Sequence, residues 1–287
     1  MFTEKIFLKK IIPILILFTI TFSLSAATFF TNELGVFGNA TPGTSSKGSS
    51  LNIDAFYGTQ IQFNSFMLLK GLFSVRTDNI IQNGLFNDTP AYFSINEVSL
   101  GLKFKTTAVS GQFSAFTGNF ESPGSDTFVQ RYLGSRKISS PLLTPLYSTS
   151  ALYIYPISGI GLGAACRLNA PVAFGFYGYY NEKFNLKHVN TDFRVAATTN
   201  NVIVDFTAGV SFPIEKEDSN GDKVFLIIRR ADLHGAISLV LGGNPYTNLF
   251  LQAGVSRVQI KPFAGEQVFS LDNLFVLMEP RFATESA

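Results

Sequence analysis

Tryptophan is absent from the 287 residues, histidine occurs twice and cysteine once. The lone Cys166 excludes an intramolecular disulfide framework. It lies in an apolar alternating stretch, Ala164, Cys166, Leu168, where a packing role suits it. Charge is scarce: 15% of residues are charged, and the formal net charge is +2. No basic run points to nucleic acid and no acidic tail is present. No metal-ligand constellation, phosphate loop or nucleotide fingerprint occurs, so no cofactor is expected. Beyond residue 27 no apolar run approaches the ~18 residues of a membrane-spanning helix. Yet 46% of the chain is hydrophobic, Phe alone numbers 30, and the mean hydropathy is +0.23.

The N-terminus carries the one long apolar run. Lys5, Lys9 and Lys10 precede Ile11–Leu24, about 14 residues, and Ser25, Ala26 and Ala27 follow. That order reads as a secretory signal peptide over residues 1–27, with cleavage after Ala27. No cysteine near that point supports lipoprotein processing. Residues 28–287 then form one large β domain. If that domain lives in a membrane it must be a closed barrel, because unpaired backbone groups cannot face lipid.

The stretch Ala91–Gly118 shows the pattern best. Val98, Leu100, Leu102 and Phe104 share one parity. Glu97, Ser99, Gly101, Lys103 and Lys105 share the other, giving a strand with one apolar and one polar face. Thr106–Ala108 turns the chain, and Val109, Phe113 and Ala115 oppose Ser110, Gln112 and Ser114 on the way back. Leu51–Phe63, Phe66–Arg76, Ala151–Leu168, Val172–Asn181, Asn190–Thr198, Val202–Phe212, Val224–Leu241, Asn248–Ile260 and Val268–Phe282 behave alike, and Thr28–Gly38 is a further candidate. Short turns at 64–65, 106–108, 169–171, 199–201 and 242–247 alternate with longer loops at 39–50, 77–90, 119–150, 182–189, 213–223 and 261–267. The expected class is all-β: a transmembrane up-and-down antiparallel barrel of about 12 strands, with both termini periplasmic. A soluble sandwich or propeller also reads as many short alternating strands, although no repeat of fixed period favours a propeller.

With its leader, amphipathic hairpins and loop rhythm, the chain resembles bacterial outer-membrane barrels of porin-like type. The resemblance is architectural and covers the whole mature chain. It implies the outer membrane of a diderm bacterium, with lipid, the barrel assembly machinery and small hydrophilic solutes as partners. Oligomeric state is left open. One departure stands out: such barrels end on a terminal aromatic residue, whereas this chain runs past Phe282 into Ala-Thr-Glu-Ser-Ala. Either the assembly signal is tolerant or the sequence is part of a longer barrel.

If the apolar parity faces lipid, the polar parity lines the lumen. The charged candidates there are Asp54, Glu97, Asp205, Asp232 and Glu279 against Lys103, Lys105, Arg194, Arg230 and Arg281, with His234 among them. The signs balance, as a bracing ladder of ion pairs or a weakly selective water path would require. Loop 119–150 is long for a structureless connection. Ser125 or Asp126 caps a short helix with Phe128, Val129, Tyr132 and Leu133 on one face, and Gly134 stops it. Such a face needs something to bury against. Folding inward would place Arg131, Arg136 and Lys137 at a constriction, and lying across the outer rim is the alternative.

Catalysis is poorly supported, and no enzyme is expected. Asp218-Ser219-Asn220-Gly221 resembles part of the outer-membrane phospholipase motif, but Glu217 stands where that family has the histidine that activates the serine. His188 falls in a polar loop, and His234 shares a face with Asp232 and Ser238 as a polar cluster. Phe174, Phe176, Tyr177, Tyr179 and Tyr180 suit an interfacial aromatic girdle or, alternatively, a sugar-stacking platform. The expected function is passive diffusion of small hydrophilic solutes. A plugged barrel serving as adhesin or structural anchor is the alternative, and a membrane-bound lipid hydrolase a further one.

Overall fold

The computed structural model describes residues 29–43, 48–83, 90–121, 126–134, 157–183, 186–214, 231–242, 247–261 and 267–282. Twelve antiparallel strands make one sheet in simple sequence order. They are β1 (Phe29–Thr41), β2 (Ser50–Gln62), β3 (Met67–Thr77), β4 (Ala91–Lys105), β5 (Val109–Glu121), β6 (Ile157–Leu168), β7 (Val172–Lys183), β8 (Leu186–Thr198), β9 (Val202–Ile214), β10 (Asp232–Leu241), β11 (Thr247–Gln259) and β12 (Leu274–Phe282). Two short helices, α1 (Ile80–Asn83) and α2 (Asp126–Leu133), lie in connections. No described helix is long and apolar enough to cross a membrane, which says nothing of strands.

The alternation is inverted relative to a water-soluble sheet. Along β9 Asp205 and Thr207 are buried and Phe206 is exposed; along β8 Asp192 and Arg194 are buried and Phe193 is exposed. Register carries each parity intact across strands, as in Phe193↔Ala208 and Phe206↔Ile237. Leu34, Phe113, Leu162, Phe176 and Val276 stand outward. The polar parity therefore lies on the buried face of the sheet, an uncommon place for charged side chains unless they are paired.

The sheet is curled. Ala165 (β6), Ala173 (β7), Ala196 (β8), Ile203 (β9), Val240 (β10) and Phe250 (β11) all join one cluster with the apolar face of α2, and Leu277 (β12) packs on it. Seven flat strands would span about 29 Å at ~4.8 Å spacing, while a helix is only about 10 Å across. The strands can converge on one helix only by wrapping it. The ladder runs β1 to β12, and among the described residues no pairing joins β12 to β1. Pro280, which has no N–H to donate, sits in β12, the kind of strand that tolerates it.

The expected connection at 182–189 is corrected. β7 runs to Lys183 and β8 begins at Leu186, with Lys183 paired to Leu186 and Glu182 to Lys187. Polar residues concealed these strand ends, because the ladder extends past the stretch of alternating hydrophobicity. His188 accordingly belongs to β8 and is buried, not in a loop. Residues 1–27, 151–156, 224–230 and the tail after Phe282 lie outside the described residues.

Candidate functional site

The site is the buried face of the sheet together with α2. The helix ends where the sequence predicts, at Gly134, whose φ of +62° favours glycine. Its apolar residues Phe128, Val129, Tyr132 and Leu133 are buried. It packs on β5, β6, β7 and β8. Leu133 and Gly134 border a pocket with Pro171 and the turn Thr198–Asn201, so the end of the helix reaches the short-turn end of the sheet.

Two backbone irregularities position the root of this segment. Gly118 has φ +89°, and a Cβ there would strike the Asn96 carbonyl. A bulge between Asn119 and Glu121 then turns Glu121 into the interior. Glu121 accepts from Tyr177 Oη at 2.5 Å and from Arg194 Nη1 at 3.1 Å, and Arg131 of α2 approaches its other oxygen at 3.4 Å.

Arg194 is the hub. It is fully buried and forks onto Asp205, with Nε to Oδ1 at 2.9 Å and Nη2 to Oδ2 at 2.7 Å. Its guanidinium also lies 4.5 Å from the centre of the Phe128 ring. One cation thus ties the wall, the loop root and α2 together. The planar fork of arginine permits this where a lysine would not. Tyr132 of α2 is pushed up to about 12, chiefly by burial and then by Glu121.

A second polar network lies on β7 to β10. Asn181 donates to the Ser158 carbonyl at 2.9 Å, and Asn190 donates to Asn181 Oδ1 at 3.0 Å. Ser211 donates to Asn190 Oδ1 at 2.5 Å and sits 3.2 Å from His234 Nδ1, while His234 Nε2 lies 3.0 Å from Asp192 Oδ1. Serine, histidine and aspartate therefore meet, with the Ser211 hydroxyl shared between Asn190 Oδ1 and His234 Nδ1. The side chains of the network lie on four strands, and through the Ser158 carbonyl it also holds a fifth, β6. His234 finds Asp192 and Ser211 there rather than Asp232 and Ser238. Asp232 accepts from Arg257 Nε at 2.9 Å, and Ser238 accepts from Gln252 at 2.8 Å.

The other candidates fall into local pairs. Lys70 donates to Glu97 at 2.6 Å, Arg76 lies 3.6 Å from Asp54, and Arg281 donates to Glu279 at 2.7 Å while lying over the Phe250 ring. Lys103 and Lys105 share the inward parity, opposite Gln112 and Ser110. Arg230, Arg136, Lys137 and the 218–221 stretch lie outside the described residues.

The aromatic run on β7 divides. Phe176 and Tyr180 face outward and are exposed, as a girdle requires. Tyr177 and Tyr179 are buried instead, in a groove of glycines: a Cβ on Gly163 would lie 2.7 Å from the Tyr177 ring, and one on Gly161 would strike Tyr179. Residues that sequence reading missed are Lys70, Arg76, Glu121, Asn190, Asp192, Ser211 and Arg257. Apart from Glu121, which a bulge turns inward from a stretch read as loop, these residues lie in stretches read as strands, and their pairing depends on interstrand register.

No protein-family model matches the chain, and no curated protein matches it in sequence.

Proposed function

We propose that the chain is an outer-membrane β-barrel, exported by the signal peptide at residues 1–27, that lets small hydrophilic solutes diffuse passively. The barrel assembly machinery inserts it, and the outward apolar parity meets lipid. The observation that carries this reading is the placement of α2. The helix lies on the β5–β8 side, where its apolar face is buried. The interior of β2–β4 instead carries Asp54, Lys70, Arg76 and Glu97 in pairs whose cations keep access to water. A helix dry on one side and a polar wall opposite make a narrowed, hydrated path. The pairing that joins β12 to β1 forms on insertion, since lipid satisfies no backbone group.

Planar-bilayer recording of detergent-refolded protein tests this. Discrete channel steps are expected, with larger conductance after deletion of residues 126–137. Equal conductance with and without that segment would remove α2 from the constriction.

A second reading, a plugged barrel acting as adhesin or structural anchor, is favoured by the apolar cluster that reaches from β6 to β12. It predicts electrical silence from protein shown to be inserted.

A further inference from the structure

We infer that the lumen favours small hydrated anions over cations, although its formal charges balance; this rests on the channel reading above. The asymmetry lies in which member of each ion pair meets water. The Lys70 side chain keeps 29% of its surface exposed against 4% for Glu97, and Arg76 keeps 43% against 8% for Asp54. The pairs Arg131–Glu121, Arg257–Asp232 and Arg281–Glu279 are ordered the same way.

The cause is partly side-chain length and partly hydrogen bonding. Glu97 spends one oxygen on Lys70 and the other on Ser99 Oγ at 2.8 Å, so both are turned to the wall. The longer cationic stems stand off it. A solute on the axis meets ammonium and guanidinium groups with the carboxylates behind them.

The short-turn end adds further cations. Lys105 and Arg167 both pair in register with Ser110, and Lys103 with Gln112, so all three share the inward parity. No described acid pairs with Lys103, Lys105 or Arg167. Opposed to them is Glu33 on β1, an inward acid that stays exposed. A unit charge about 6 Å from the path enriches a monovalent anion about twofold at ~0.1 M salt. Lysines, as compact point charges, suit small hydrated anions such as chloride or short carboxylates rather than one shaped ligand.

The test is the reversal potential of refolded protein across a potassium chloride gradient. A chloride-to-potassium permeability ratio of about 3 or more is expected at ~0.1 M, falling toward 1 at ~1 M where screening shortens to about 3 Å. The triple variant K70Q/K103Q/K105Q is expected to halve the ratio or more, and E33Q, at an exposed position, to raise it. Channel steps with a wild-type ratio at or below 1 would overturn the anion preference and leave the channel intact. A ratio indifferent to both E33Q and salt would overturn it equally, even if the triple variant fails to fold. An absence of steps from folded, inserted protein overturns the channel reading, and this inference with it.

Discussion

Replacing Arg194 by Met removes the cation from the most buried part of the molecule. The guanidinium is wholly inaccessible, and so is the Asp205 carboxylate it holds. Glu121 is equally sheltered. The substitution leaves Asp205 without its forked partner and, among the described residues, leaves Arg131 as the ion-pair partner of Glu121. Breaking one side of a buried pair in this way destabilises by about 3–5 kcal/mol, because a desolvated charge is left uncompensated. The lost contact with Phe128 adds about 1 kcal/mol. Arg194→Met should therefore lower unfolding stability by about 5 kcal/mol, read as the urea midpoint of protein refolded in detergent at neutral pH. It should also loosen α2, since Arg194 links β8 both to the loop root at Glu121 and to the helix at Phe128. On the channel reading proposed above, conductance should rise with it. The control is the compensated variant R194M/D205L/E121Q, which removes the stranded charges too and should recover most of the loss. A loss under ~1 kcal/mol for the single variant, or a triple variant no more stable than the single, would refute the account of Arg194 as a buried hub.

Three further outcomes follow from neighbouring residues. Tyr132 has its proton held up to about 12 against an ordinary 10.0. Its contribution to docking α2 is complete below pH ~10 and is lost as pH rises from ~10 to ~12, because the folded state binds the proton more tightly. Conductance should climb over that window, and Tyr132→Phe should remove the component due to this residue. Gly209→Ala should destabilise by about 2 kcal/mol, because its Cβ would strike both Asp192 Oδ1 and His234 Nε2 and wedge them apart; an unchanged urea midpoint would contradict this. Phe128→Ala empties a fully buried position and should weaken α2 docking by about 3 kcal/mol. Faster proteolysis within 126–134 than in wild type is the readout.

Much of this architecture was legible because a strand repeats every two residues and a chain of amphipathic strands repeats the signal. Leu51–Phe63, Ala91–Lys105 and Val202–Phe212 were readable as strands within a few residues. The α2 helix was legible for the same kind of reason: Phe128, Val129, Tyr132 and Leu133 fall on one face and Gly134 ends it. The loop read at 182–189 failed where Glu182, Lys183, Lys187 and His188 continue the ladder with polar side chains on both parities. Tyr177 and Tyr179 were misplaced because the room for their rings is made largely by Gly161 and Gly163 on the neighbouring strand β6, with Gly175 of their own strand beside Tyr177.

The sequence by itself determined the strand-rich class and the two faces of most strands, since both are set by local alternation, but not the ends at 182–189 or the start of β12, which begins only at Leu274. It also marked Asp54, Glu97, Arg194, Asp205 and His234 as belonging to one face. Only the tertiary structure decided what each of these meets. Glu121 reaches Arg194 across 73 positions of chain, and His234 reaches Asp192 across 42. Those partners depend on register, on bulges such as that before Glu121, and on how tightly the sheet curls around α2. The exposure of each cation relative to its acid is likewise a property of the tertiary packing. Composition counts charges of both signs equally, whereas packing decides which of them water reaches.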